Sequence, residues 1–145
     1  MDIGKIIRGF LGQPEPSTEL KSAGFVTIES AAVTLAAKLR EYDSSALIFL
    51  PDSKLKTYSL DTVKGQYQLE EIQKLTYVAE THDCDDFAAK AFAQGLGLIW
   101  TDLHALNWFF SPNCTLFFVE PQSLKVATDL ESWQYSKNLQ FFIGR

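Results

Sequence analysis

A cysteine, a histidine and a glutamate follow one another in an order that suits nucleophilic chemistry. Cys84 opens an amphipathic run, His104 follows in one predicted strand, and Glu120 lies in the next. A thiol attacks well only as thiolate, which a helix N-terminus stabilises. It also needs an imidazole to take its proton and a polar group to orient that imidazole. The three residues predict a thiol-dependent hydrolase with Cys84 as nucleophile, His104 as general base and Glu120 as orienter.

Two further donors are candidates for stabilising an oxyanion. One is the side-chain amide of Gln122, and the other is the backbone N–H of Cys84 at the helix start. Asn107 is a weaker candidate for the orienter, because strand alternation points it away from His104.

Plain structural explanations exist for the same residues. His104 could be a half-buried strand residue bound to backbone, and Glu120 a solvent-facing strand end. The other histidine, His82, is expected to be a loop residue rather than the base, and Cys114 a small turn residue.

Three carboxylates surround the proposed nucleophile in sequence. Asp83, Asp85 and Asp86 would raise the pKa of a neighbouring thiol, because like charge disfavours the thiolate. Their side chains could turn outward as ordinary helix-start residues. Alternatively, Asp85 and Asp86 hold a divalent cation, and their hard oxygen ligands suit Ca²⁺ or Mn²⁺.

The elements that must position these groups are a helix and a hairpin. The helix is predicted over 84–94, with Asp83 as N-cap and Gly95 with Gly97 as its stop. The hairpin has strands over 103–110 and 115–120. A three-residue loop over 111–113 would pair residues whose numbers sum to 224 and place Glu120 opposite His104. A loop with an even number of residues would send the two to opposite faces unless a bulge intervened.

The rest of the chain divides into an N-terminal arm, 1–19, and one domain, 20–145. Residues 1–11 form a predicted amphipathic helix, and a Pro-rich linker follows it. That helix is expected to dock on its own domain, on a partner protein or on a membrane face. The other predicted elements are a strand over 25–28, a helix from 29 or 30 to 40, a strand over 46–50, an exposed strand or turn over 56–60, a helix over 68–77, and strands over 124–127 and 139–143, with a loop or short helix over 129–136 between the last two.

Composition narrows the functional class. The chain has 145 residues, 46% of them hydrophobic, which is enough for one ordinary core. A net charge of −5 disfavours binding to nucleic acid or anionic membranes. No apolar run is long enough for a transmembrane span or a signal peptide. Two cysteines, one of them a proposed nucleophile, favour a reduced cytoplasmic setting, which would be the host cytoplasm for a viral protein.

The motifs Asp83-Cys84-Asp85-Asp86-Phe87-Ala88, His104-Ala105-Leu106-Asn107 and Glu120-Pro121-Gln122 together resemble a known family. The family is the papain-like cysteine protease domain at the C-terminus of mushroom agglutinins of the Marasmius type, with small related phage and bacterial proteins. The similarity covers roughly residues 42 to 125. It implies a papain-like α+β fold in which a helix carrying Cys packs on a small antiparallel sheet carrying His and Glu. It also implies a triad of Cys84, His104 and Glu120 with Ca²⁺ or Mn²⁺ near Asp85 and Asp86. Compared with the fungal protein, we expect no sugar-binding trefoil within these 145 residues, and the segment between Cys84 and His104 is shorter than in the fungal domain.

Three functional hypotheses remain open on the sequence. The first is a thiol hydrolase that cleaves a peptide or amide bond, and the second is a cell-wall peptidase that cleaves peptidoglycan fragments. The third is a non-catalytic binding or structural module, of phage origin, that uses the N-terminal helix and exposed aromatic residues to engage a partner. The aromatic residues of the hairpin region are expected to fill both faces of a covered sheet: Trp100, Trp108, Phe109, Phe110, Phe117 and Phe118.

Overall fold

The computed structural model describes residues 19–42, 44–65, 72, 74–78, 83–131, 133 and 138–145. The predicted N-terminal helix, nearly all of its linker, His82 and half of the predicted helix over 68–77 lie outside these residues. Residues 74–77 of that predicted helix are described, and they form a turn and irregular chain rather than a helix. In the described part of the chain, no helix is long and apolar enough to cross a membrane.

The described residues form three helices and eight strands of one mixed sheet. Helix α3 coincides with the predicted helix apart from its last residue, and helix α1 extends the predicted one by a residue or two at each end. The elements in chain order are β1 Gly24–Thr27, α1 Ile28–Glu41, β2 Leu47–Phe49, β3 Lys54–Thr57, α2 Leu60–Gly65, α3 Cys84–Ala93, β4 Gly97–Thr101, β5 Ala105–Phe110, β6 Leu116–Glu120, β7 Lys125–Ala127 and β8 Leu139–Ile143.

The sheet is larger than the small antiparallel sheet that the resemblance implies, and it is mixed. Its main path runs β1-β3-β5-β4-β8-β2, with β6 and β7 continuing from β5 on a branch. The pairs β2 with β8 and β3 with β5 are parallel, and the others are antiparallel. The parallel pairs join segments that are far apart in sequence, so hairpin patterns gave no sign of them.

Strand β4 was not predicted, because Gly97 was assigned to the helix stop. The helix ends at Ala93 with Gln94 as its C-cap, and Gly95 takes a φ of +123° that favours glycine. Gly97 begins β4, where the indole of Trp108 packs directly against it. A Cβ at this position would lie 2.2 Å from Cε2 of Trp108, so only glycine permits the contact. Helix α2 was also missed, because no element was predicted over 61–65. The exposed strand or turn predicted over 56–60 overlaps the end of β3 and only the first residue of α2.

The helices cover opposite faces of the sheet. Helix α1 packs on the face that carries the even-numbered residues of β5, such as Leu106 and Trp108. Helix α3 packs on the other face, against Ala105 and Phe109. The nucleophile's helix therefore lies on the opposite sheet face from Leu106 and Trp108, the β5 side chains that strand alternation groups with His104.

The aromatic residues fill the protein interior, as expected. Trp108, Phe109, Phe110 and Phe118 are each at most 2% exposed, and the remaining two, Trp100 and Phe117, are partly buried. The hairpin therefore offers no aromatic patch for a partner, which removes one support for the hypothesis of a non-catalytic module.

The hairpin loop has an odd length, but it lies one residue later than predicted. Ser111 donates its N–H to the Thr115 carbonyl, which leaves a three-residue loop of 112–114 that ends in Cys114 at a φ of +61°. The residue numbers of each cross-strand pair add up to 226 rather than 224, as in the pair Asn107 and Val119. Continued to the strand ends, this register makes His104 a diagonal rather than a direct neighbour of Glu120.

Candidate active site

Cys84 is the first residue of helix α3. Asp83 precedes it as N-cap in an extended conformation, and its N–H donates to Oδ2 of Asp86 at 3.2 Å. The Cys84 side chain is half-buried and packs against the small apolar cluster formed by Ala88, Leu98 and Ala105. It is a free thiol, so its sulfur is available for chemistry. The first backbone N–H groups of the helix have no partner within the helix, which favours negative charge nearby.

His104 lies in a tight turn between β4 and β5, not in a strand as predicted. The turn is fixed by Thr101, whose Oγ1 accepts the His104 N–H at 2.7 Å and donates to the His104 carbonyl at 2.9 Å. Because His104 precedes the first residue of β5, its ring is not bound by the alternation of that strand. It lies at the sheet end, where it contacts groups on both faces.

The imidazole of His104 connects the thiol to the carboxylate. Nε2 lies 2.5 Å from Oε2 of Glu120, and the ring also hydrogen-bonds with the side chain of Cys84. Since Nε2 faces Glu120, Nδ1 is the nitrogen left for the sulfur. The side chains of His104 and Glu120 are each only 11% exposed, so this contact is largely shielded from water.

The electrostatics of this group favour an imidazolium. Burial lowers the pKa of His104, but its hydrogen bonds to Cys84 and Glu120 and the negative charges of both outweigh burial and raise the pKa from 6.5 to about 9. At neutral pH the ring therefore carries its proton. An imidazolium beside a sulfur is the environment that favours a thiolate.

Glu120 ends strand β6 and is only 9% exposed, so it is not a solvent-facing strand end. Its second oxygen, Oε1, accepts the backbone N–H of Gln122 at 3.3 Å. The Gln122 side chain lies on an exposed turn. In the structure Gln122 thus contacts Glu120 through its backbone, and an oxyanion contact from its side-chain amide stays a prediction.

Three carboxylates cluster around the start of α3. One oxygen from each of Asp83, Asp85 and Asp86 lies within 4.8 Å of the others. The pKa of Asp85 rises from 3.8 to about 6, first because of burial and then because of its hydrogen bond to Asp83 and the neighbouring charges. Oxygen ligands crowded in this way fit the chemistry that a hard divalent cation requires.

Asn107 and Thr101 have structural roles that the sequence reasoning missed. Asn107 is fully buried, and its amide donates to the carbonyls of Ala88 at 2.9 Å and Gly97 at 3.0 Å. It therefore fastens helix α3 to β4 and points away from His104, as strand alternation predicted. The sequence signal for Thr101 was its position three residues before His104, the spacing of a side-chain-stabilised turn.

The structure thus brings together the side chains of Cys84, His104 and Glu120 from a helix, a turn and a strand. It places Cys114, the second cysteine, on the exposed hairpin turn. The catalytic roles of Cys84, His104, Glu120 and Gln122, and the metal-binding roles of Asp85 and Asp86, stay predictions.

Comparison with known proteins identifies the fold. No protein-family model and no curated protein sequence matches the chain. A lectin from Polyporus squamosus, solved with a human-type influenza-binding epitope, matches at a TM-score of 0.65 and 22% identity over 82% of this chain and 49% of the lectin chain. A complex of PSL1a with E64 matches at a TM-score of 0.66 and 23% identity over 82% of this chain and 51% of that chain. The chain therefore has the mixed α+β fold of a domain of that lectin type, and it spans about half the length of these proteins.

Proposed function

We propose that the protein is a papain-like cysteine peptidase that cleaves a peptide or amide bond through a thioester at Cys84. The observation that carries the proposal is the contact chain from the Cys84 sulfur through the His104 ring to the Glu120 carboxylate. A thiol, an imidazole and a carboxylate in that order are the groups that nucleophilic acyl transfer requires. The structural likeness to PSL1a adds support, since its ligand E64 is an inhibitor of cysteine proteases.

In the first half of the reaction, the thiolate of Cys84 attacks the substrate carbonyl carbon and forms a C–S bond. The electron pair of the C=O bond moves to oxygen, and the backbone N–H of Cys84 at the helix start is a donor for that oxyanion. The side-chain amide of Gln122 is our candidate for a second donor. When the C–N bond breaks, the leaving amine takes its proton from the His104 imidazolium.

In the second half, the neutral His104 accepts a proton from water, whose oxygen attacks the thioester. The C–S bond breaks, a carboxylic acid leaves, and the proton returns to the Cys84–His104 pair. Glu120 touches neither substrate nor sulfur, so it acts as a positioning residue. Its hydrogen bond to Nε2 fixes the ring and stabilises the imidazolium.

A divalent cation, Ca²⁺ or Mn²⁺, is a further part of the proposal. Asp85 and Asp86, together with Asp83, would hold it through carboxylate oxygens that already lie close together. When bound, it would neutralise the negative charge next to the thiol and so favour the thiolate. Asp83 and Asp86 themselves form a capping box that holds the start of the helix, and with it Cys84, whether or not the ion is present.

The test is alkylation of the protein by iodoacetamide across pH, with the modified cysteines quantified by mass spectrometry. Cys114 is an internal reference, because it is a free and exposed thiol in the same molecule. An ordinary thiol reacts slowly well below pH about 8.5. We expect Cys84 to react at pH 5 to 6 faster than Cys114, and His104→Ala to abolish this difference. Identical pH profiles for the two thiols in the wild-type protein would refute the proposal.

The substrate class is tested separately. Wild-type protein is incubated with a mixture of unstructured peptides and, in parallel, with peptidoglycan fragments, each with Ca²⁺ and with a chelator. Cleavage of peptides that Cys84→Ala does not produce supports the cysteine peptidase. Cleavage confined to peptidoglycan fragments would favour the cell-wall peptidase, and no turnover of either would favour a non-catalytic module.

A further inference from the structure

Beyond the thiol, the sheet face that helix α3 covers continues into a band of apolar side chains. We call this band the apolar strip and define it by five residues. They are Trp100 on β4, Phe141 and Ile143 on β8, and Leu47 and Phe49 on β2.

Alternation along β4 and β8 places their members of the strip on the same face as Cys84. In β4, Ile99 packs into the core beneath α1, whereas Trp100 packs against the cluster that Cys84 also contacts. In β8, Phe142 likewise belongs to the core beneath α1. Phe141 points the other way, and its ring stacks on Trp100 with centroids 5.8 Å apart and an interplanar angle of 11°.

Strand β2 continues the strip to the edge of the sheet. Ile48 packs towards the core beneath α1, so its neighbours Leu47 and Phe49 face the other side. Leu47 pairs with Phe141, and Phe49 pairs with Ile143, in parallel register. Leu47 and Phe49 are 62% and 50% exposed, so apolar surface remains open at this edge.

The strip begins beside the candidate active site. Trp100 pairs with Ala105, the residue that follows His104. The path from β5 to β2 crosses β4 and β8, which makes three strand spacings, or about 14 Å. An extended peptide covers this distance in about four residues. A substrate that is extended across the strands from Cys84 would therefore lay successive side chains on Trp100, then Phe141, then Leu47 and Phe49.

We propose that the substrate is an extended peptide whose aromatic or aliphatic side chains, up to about four residues from the cleaved bond, pack on the apolar strip. This inference rests on the proposed function for the position of the cleaved bond. A second copy of the chain fits the strip less well. A fully buried aromatic side chain contributes roughly 150–250 Å². Part of each ring here is already covered, so the strip falls short of the roughly 800 Å² per partner that a stable interface buries.

The experiment compares the wild-type protein with the double variant Leu47→Ser/Phe49→Ser. Phe25→Ser is the matched control, because Phe25 is 57% exposed on β1, at the far edge of the same sheet. Each protein digests the same peptide mixture, and mass spectrometry reads the residues around each cleaved bond. We expect apolar residues to be enriched within four positions on one side of that bond. The double variant should cut peptides with an apolar residue at the third or fourth position about tenfold more slowly, and Phe25→Ser should match the wild type.

A binding measurement separates failure of this inference from failure of the proposed function. An acetylated peptide with four consecutive leucine or phenylalanine residues, and a serine analogue, are titrated into Cys84→Ala by fluorescence anisotropy. Preferential binding of the apolar peptide, weakened about tenfold by Leu47→Ser/Phe49→Ser, supports the strip even if no peptide is cleaved. Equal binding of the two peptides, an unchanged cleavage profile in the double variant, or a dimer that the double variant dissociates would overturn the inference.

Discussion

The two ends of helix α3 carry charged groups that differ in their effect on the helix. At the C-terminal end, the guanidinium of Arg145 donates to the carbonyls of Phe92, at 3.0 Å, and of Ala93, and it pairs with Glu19 at 2.6 Å. A cation thus satisfies the negative end of the helix dipole and ties the C-terminus of the chain to residue 19.

At the N-terminal end, the helix dipole favours negative charge, and three carboxylates lie there. Asp83, Asp85 and Asp86 crowd together, and the side chain of Cys84, the residue between Asp83 and Asp85, contacts the His104 imidazolium. A cation therefore neutralises the C-terminal end of the helix, whereas carboxylates that repel one another lie at the N-terminal end beside Cys84. Under the proposed function, the first end serves stability and the second serves chemistry.

The largest effect is expected from removing a reacting group. His104→Ala should lower peptide turnover by about 10³–10⁴-fold, because it removes the group that moves the proton in both half-reactions. Cys84→Ala should abolish turnover. Both are measured as kcat/KM at pH 7 on a peptide that the wild type cleaves. Cys114→Ala is the control and should keep full activity, and a comparable loss in that variant would mean that the nucleophile has been misassigned.

Glu120→Gln should have the next largest effect. Without the carboxylate, the pKa of His104 should fall from about 9, and kcat should drop by about 10²-fold with little change in KM. NMR titration of the imidazole reports the pKa directly. The raised pKa also means that the pair stabilises the wild-type fold below pH 6.5 and that this contribution is lost as pH rises through about 9. An imidazole pKa unchanged in the variant would remove Glu120 from its role.

At the C-terminal end of α3, Arg145→Ala should lower stability and leave the chemistry intact. We expect a loss of ~1–2 kcal/mol in the free energy of unfolding, since the variant leaves helix carbonyls without their charged donor. Urea denaturation gives the stability, and alkylation of Cys84 gives the reactivity. Arg40→Ala is the control, because Arg40 is an exposed cation in the last turn of α1. Slower alkylation of Cys84 in folded Arg145→Ala would show that the two ends are not independent.

The smallest effect is expected at the carboxylates. Because the folded-state pKa of Asp85 is raised to about 6, its protonated form stabilises the fold below pH 3.8, and this contribution is lost as pH rises through about 6. Asp85→Asn should flatten that pH dependence, by less than ~1 kcal/mol because the group is partly exposed. Added Ca²⁺ at pH 7 should raise the melting temperature of the wild type more than that of Asp85→Asn. The control is Asp61→Asn, in the first turn of α2, and an equal response to Ca²⁺ in all three proteins would contradict the cation site.

Local patterns predicted the two longer helices and most strands of this fold well. The N-cap at Asp83 and the apolar periodicity that follows it are local signals, and α3 begins at the expected residue. The parallel pairing of β2 with β8 depends on contacts between distant segments, and no periodicity records it. Strand β4 was missed because Gly97, which makes room for Trp108, follows a predicted helix closely. In the sequence, a glycine at that position cannot be told from a helix stop.

The sequence predicted that Cys84, His104 and Glu120 come together, and the structure has these contacts, but strand alternation does not explain them. Strand alternation would have put His104 on the same face as Leu106, beneath α1 and away from the thiol. The ring reaches Cys84 because Thr101 holds His104 in a turn that ends before the alternation of β5 begins. The order of cysteine, histidine and glutamate along the chain was therefore a better guide to these contacts than strand alternation was.

The amide of Asn107 has a consequence that extends beyond its two hydrogen bonds. Because it donates to one carbonyl of α3 and to one of β4, it opposes movement of the helix along its axis relative to the sheet. The hydrogen bond to Ala88, one helical turn after Cys84, thus helps to set the distance between the sulfur and the imidazole. Under the proposed function, the reactivity of Cys84 therefore depends on a buried amide that touches neither the thiol nor the imidazole.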